Sequence, residues 1–108
     1  MTGVVTEDTI RRAGELLAEA APPRAKIIVF GSHARGDAGA SSDLDLLVIE
    51  PAVENGVEES VRLRRVLRGL GVPVDIVVIS EDLARRRAKV PGTMVDRALR
   101  EGRVVAES

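Results

Sequence analysis

The chain reads as a mixed α/β (α+β) domain, a small sheet with helices packed on it, spanning residues 1–108 as one unit. Three observations predict this. Short β-branched runs at 26–30, 44–49 and 74–79 are bounded by Gly, Pro or polar residues, as buried strands are. The stretches around them carry apolar residues at helical spacing behind recognisable caps. The composition, 108 residues with 44% hydrophobic and 31% charged, suits one globular core rather than a disordered chain.

The first helix starts at Val5-Thr6-Glu7-Asp8-Thr9-Ile10. Thr6 can cap, Val5 and Ile10 occupy staple positions, and Glu7 and Asp8 complement the positive end of the helix dipole. Ile10, Ala13, Leu17 and Ala20 continue the stripe until Pro22-Pro23 stops it. The strand Lys26 to Phe30 ends at Gly31. The strand Leu44 to Ile49 is closed by Glu50-Pro51. A helix over roughly 54–70 follows, with Leu63, Val66, Leu67 and Leu70 as its stripe, while Val57 and Val61 point elsewhere. The third strand runs from Val74 to Ile79. Ser80 then caps a short helix with Glu81 and Asp82 in its first turn. Thr93 with Asp96 resembles a capping box for a last helix that ends at Gly102, before an extended tail, Arg103-Val104-Val105. The expected order is helix, strand, strand, helix, strand, helix, helix.

Composition narrows the function. A net charge of −1 gives no general attraction for nucleic acid or anionic membrane, and Phe30 is the one aromatic available for base stacking. No cysteine means no disulfide, thiolate zinc site or thiol nucleophile. The N-terminal residues show no secretory signal and no apolar run is long enough for a membrane span, so a cytoplasmic location is expected.

The chemistry concentrates between Val29 and Glu50, VFGSHARGDAGASSDLDLLVIE. Asp43 and Asp45 enter the second strand one residue apart. They therefore point to one face, about 6.8 Å apart along the backbone, with Leu44, Leu46 and Val48 on the other. Asp is disfavoured in strands and like charges on one face repel. Asp75 is the one charge in the third strand. If the strands are neighbours, three carboxylates converge, and Mg²⁺ would offset the repulsion while leaving room for phosphate oxygens and water. Gly31 permits a tight turn and close approach of a ligand, the following amides can face anionic oxygens, and Ser32 adds a hydroxyl. A phosphate-binding turn opposite a carboxylate cluster is the layout of metal-assisted phosphoryl or nucleotidyl transfer. Singly, a Gly-Ser turn can be only a turn, and Asp75 can be an edge-strand charge facing water. The ordered spacing joins the pieces.

Gly31-Ser32, ten intervening residues and Asp43-Leu44-Asp45 match the GSx10DxD signature of the polymerase-beta-like nucleotidyltransferases. The fuller string GSHARGDAGASSDLDLLV, with ALREGRVV near the end, resembles their small prokaryotic branch, the minimal nucleotidyltransferases. The resemblance implies the polymerase-beta-like fold. It also implies ATP held against Gly31 and Ser32, and two Mg²⁺ ions on Asp43, Asp45 and Asp75, with Asp75 helping to take a proton from the incoming hydroxyl. It further implies a role as antitoxin to a HEPN-type toxin, with a tyrosine of that toxin as the acceptor of AMP. A non-catalytic antitoxin that only binds its partner, and a small-molecule (aminoglycoside-type) nucleotidyltransferase, stay open as alternatives. So do oligomeric state and base preference.

His33 falls at a position the signature leaves free and reads as a loop residue near the phosphates rather than a base. Arg35 either steadies the loop by pairing with a carboxylate or touches phosphate, the first being favoured. The arginines at 62, 64, 65 and 68, and the basic run at 85–89, read as solvated helix faces, with a partner surface as the sharper alternative.

Overall fold

The computed structural model describes residues 5–36 and 43–108. Helix α1, Glu7–Ala20, begins as its sequence requires: the Thr6 hydroxyl accepts the Thr9 amide at 3.1 Å, and Val5 packs with Ile10 against the core. Strand β1, Lys26–Phe30, runs into a four-residue helix, α2, at Ser32–Arg35. Strand β2 is Leu44–Glu50, and α3 is Gly56–Val66, capped by Asn55 and extended by a 3-10 turn at Arg68–Leu70. Strand β3, Val74–Ser80, leads through the Ser80 cap into α4, Glu81–Ala88. Helix α5, Met94–Glu101, passes directly into β4, Arg103–Glu107.

The four strands form one mixed sheet in the order β3-β2-β1-β4. β1 is antiparallel to both β2 and β4, and β2 is parallel to β3. Both faces of the sheet are covered. Leu44, Leu46 and Val48 join Ile27, Val29, Ile76 and Val78 beneath α1 and α3, through Leu17 and Leu63. Leu47 and Ile49 turn the other way, with Ile28 and Ile79, onto Ala84 of α4 and Val95 and Ala98 of α5. β2 is therefore a central strand buried on both sides, which accounts for the unbroken Leu46-Leu47-Val48-Ile49 run. Among the described residues, no helix is long and apolar enough to cross a membrane.

Two elements depart from the expected order. The tail at 103–107 is an edge strand, not a free extension, and a bulge between Ile27 and Ile28 fits it to β1. Gly102 makes this sharp entry possible, since a Cβ there would lie 2.7 Å from the Val29 carbonyl oxygen. The turn after β1 continues into α2, a helix too short to show apolar periodicity. The third helix also starts two residues later than 54, at the Asn55 cap, and Val57 and Val61 remain exposed.

At the far end of β2, Glu50 is buried on the α1/α3 face at 2% exposure. Burial, first of all, and a hydrogen bond with Glu59 push its carboxyl up to about 8. The Arg62 guanidinium holds Glu59 down to about 2, and reaches on to the Ala20 carbonyl at 3.0 Å. Glu50 thus keeps the proton the two acids share. This network ties β2 and α3 to the end of α1.

Candidate active site

β1 ends where β2 begins, so the antiparallel register sets Phe30 opposite Asp45 and delivers the Gly31 turn to the carboxylate end of the sheet. Gly31 has φ +75° and ψ −152°, a conformation open essentially to glycine. A Cβ placed there would collide with Oδ2 of Asp45, so the turn and the carboxylate are in direct apposition. The Gly31 carbonyl accepts the Ala34 and Arg35 amides, both at 3.1 Å, which folds the turn into α2. The half-buried Ser32 hydroxyl has no hydrogen-bond partner among the described residues.

Asp75 comes to the same place from β3. The parallel register pairs Asp45 with Asp75, on strands about 4.8 Å apart. Both lie on the face that Leu47, Ile49 and Ile79 occupy further along, opposite to Leu44 and Val74. Asp43 is exposed just before β2, and Asp75 is exposed on an edge strand. The electrostatics record the crowding. The carboxyl of Asp45 is raised above the ordinary range, first by burial, then by Asp75 and Asp43, while His33 and Arg35 offset part of this.

A cleft of about 270 Å³ opens here, lined by Gly31, Ser32, Arg35, Asp45, Arg97 and Glu101 among others. Of the three expected acids only Asp45 lines it; Asp43 and Asp75 stand outside. Four other depressions are larger, from about 300 to about 460 Å³, and none of them is lined by Asp45. The smaller cleft is the better candidate because chemistry converges there, not because of its size. Arg35 bridges to Glu101 at 3.3 Å, tying α2 to the end of α5, as the loop-steadying reading expects.

Three carboxylates, two of which add their charge to the burial that raises Asp45, have the chemistry of a Mg²⁺ site. They are not gathered in advance: among the described residues, no three His, Cys, Asp or Glu side chains form a group that could hold a metal ion. The site has charge to neutralise but no finished cage. Residues 37–42, which complete the ten-residue spacer of the signature, lie outside the described residues.

Sequence reading missed the α5 contribution. Met94, Arg97 and Glu101 recur at i, i+3 and i+7, one helical face, and all three line the cleft. That spacing was visible, but nothing linear reports that α5 lies beside α2.

Comparison with known proteins gives the family and the fold. The nucleotidyltransferase domain family matches residues 10–104. A Methanocaldococcus jannaschii protein, bearing an inferred assignment as a protein adenylyltransferase, is 35% identical over 80 residues, covering 74% of this chain and 76% of its own. Among solved structures, a nucleotidyltransferase assigned by inference from Sulfolobus solfataricus, determined at 1.40 Å, superposes with a TM-score of 0.60 at 24% identity. That match covers 90% of this chain and 76% of the other. A toxin-antitoxin structure with AMP-PNP gives a TM-score of 0.63 at 21% identity, covering 94% and 73%. The fold is the polymerase-beta-like one. The chain belongs to the nucleotidyltransferase family and is a nucleotidyltransferase.

Proposed function

We propose that the protein is a Mg²⁺-dependent adenylyltransferase that moves AMP from ATP to a hydroxyl on a protein partner, a tyrosine of a HEPN-type toxin, and so acts as an antitoxin in the cytoplasm. The observation that carries this reading is the in-register pair Asp45 and Asp75 beside the Gly31-Ser32 turn. The turn and the Ser32 hydroxyl would hold the triphosphate, and Asp43, Asp45 and Asp75 would hold the metal. Two Mg²⁺ ions, when bound, would stabilise negative charge on the attacking and leaving oxygens.

The acceptor hydroxyl would sit on the exposed Asp75 side. Its oxygen bonds to the α-phosphorus as its proton passes to an Asp75 carboxylate oxygen. The bond from the α-phosphorus to the bridging oxygen breaks, pyrophosphate leaves, and AMP remains as a phosphodiester on the acceptor. Support for a macromolecular acceptor comes from the cleft. Asp43 and Asp75 are exposed and stand outside its lining, so the acceptor would approach the acids from the open surface rather than from within the cleft. The relative assigned as a protein adenylyltransferase and the toxin-antitoxin neighbour with AMP-PNP favour the same reading.

The test is incubation of α-labelled ATP and Mg²⁺ with the product of an adjacent HEPN-type gene, using wild type and Asp43→Ala. Label on the partner with wild type alone supports adenylylation. Equal neutralisation by both proteins without label would make the chain a binding antitoxin. Label on a small molecule of a cell extract would make it a small-molecule nucleotidyltransferase.

A further inference from the structure

The last turn of α3 carries Arg64 and Arg65, the 3-10 turn that follows carries Arg68, and none of the three has a carboxylate partner among the described residues. Most other helix arginines have a carboxylate nearby, among them Arg62 with Glu59 at 2.7 Å, Arg86 with Asp82 at 3.2 Å and Arg100 with Asp96 at 2.9 Å; Arg87 and Arg97 stand apart singly rather than as a cluster. Like charges three and four apart on a helix repel, and the negative end of the α3 dipole offsets only part of that. The three arginines also border a depression of about 460 Å³ whose apolar lining includes Val61, Val72 and Val74. Helix-end electrostatics explains a basic last turn but not a basic rim around an apolar floor.

We infer that this cleft docks an acidic segment of the protein partner, its carboxylates meeting the arginine rim and its apolar side chains the valine floor. Guanidinium groups pair with carboxylates in a two-point geometry, and an apolar floor suits a peptide better than a phosphate backbone. A net charge of −1 also argues against nucleic acid as the occupant. The location gives the cleft a purpose. Val74 lines it and pairs with Leu44, while the next residue, Asp75, pairs with Asp45 on the opposite face of the sheet. A segment seated in the cleft is thus one edge strand away from the candidate active site. Its own acids favour the arginines over the aspartates, which sets its register and holds an acceptor hydroxyl at the Asp75 edge.

This inference rests on the protein-partner reading above, but its test needs no catalysis. The probe is a fluorescein-labelled short peptide of glutamate and leucine, measured by anisotropy, with a lysine-leucine peptide and a single-stranded RNA oligonucleotide beside it. Wild type is expected to bind the acidic peptide alone, more weakly as salt rises. Changing Arg64, Arg65 and Arg68 together to Gln should weaken it at least about tenfold. An Arg85→Gln/Arg86→Gln control should bind as wild type does, and circular dichroism should show both variants folded. No binding by wild type, equal binding by the triple variant, or tighter binding of RNA lost in that variant would each overturn the proposal. Binding of the acidic peptide by wild type, together with no label on the HEPN-type partner from α-labelled ATP, would sink the enzymatic reading and leave the docking site standing.

Discussion

Replacing Glu50 with Gln should make the protein more stable in mild alkali, because this buried acid keeps its proton in the folded state. Glu50 is 2% exposed, its Oε2 is buried without a hydrogen-bond partner among the described residues, and its carboxyl is raised from 4.5 to about 8. The folded state then binds more protons than the unfolded one between those values. Stability falls as pH rises through this window and levels off above it. Each pH unit is worth ~1.4 kcal/mol, which sets an upper bound near ~5 kcal/mol. Glu59 and Arg62 share the charge, so about half, ~2–3 kcal/mol, is the expected loss. Glu59 runs the opposite way: lowered to about 2, it contributes stability above 4.5 that is lost as pH falls toward 2. Gln keeps the shape and can donate to Glu59 as the protonated acid does, but cannot ionise. Urea unfolding of wild type and Glu50→Gln from pH 5 to pH 9 is the assay. The two should nearly coincide at pH 5 and diverge by ~2–3 kcal/mol at pH 9, the variant being the more stable. Parallel curves across the range would refute the reasoning.

Gly31→Ala should cost ~1–3 kcal/mol from the positive φ alone and also displace the Asp45 carboxylate, so thermal unfolding and nucleotide affinity should fall together. Ser32→Ala should leave stability unchanged but weaken ATP binding by about 1–2 kcal/mol in calorimetry, the scale of one hydrogen bond to a charged group. Asp45→Asn should lower transfer at least ~10³-fold while the fold survives. Because the raised carboxyl of Asp45 costs stability once pH exceeds its folded value, that variant should be no less stable than wild type at pH 7. For the same reason Mg²⁺ should raise the Tm of wild type at pH 7 and do so less in acid, where Asp45 is protonated; an equal rise in the Asn variant would count against the assignment.

Most of the scaffold was readable because its signals are local. The Thr6, Ser80 and Thr93 caps each accept the amide their spacing implies, at 3.1 Å. The Thr93-Asp96 pair is not fully reciprocal: the Asp96 carboxylate takes the Gly92 amide instead, which together with Arg100 holds it below the ordinary range. β1 was delimited by its own residues, Lys26–Phe30. What stayed hidden depends on distant partners. Arg103-Val104-Val105 carries too little pattern to announce a strand, and only the exposed edge of β1 makes it one. Glu50 looked like a strand terminator because no sequence signal reports that Glu59 and Arg62 fold back over it. At the site, the alternation of Asp43 and Asp45 was legible from period-two geometry. The in-register partnership with Asp75 needed the β2–β3 crossover, and the cleft wall of Arg97 and Glu101 needed the docking of α5.

The central claim is that Asp45 and Asp75 hold metal against a triphosphate seated on the Gly31-Ser32 turn. A crystal structure with a non-hydrolysable ATP analogue and Mn²⁺, using the anomalous signal to locate the ions, tests it most directly. The account predicts anomalous peaks about 2.1 Å from carboxylate oxygens of Asp45 and Asp75, ~3.5–4 Å from one another, with phosphate oxygens meeting the Ser32 hydroxyl. Nucleotide and metal bound elsewhere, or Asp75 more than ~10 Å from any bound ion, would contradict it.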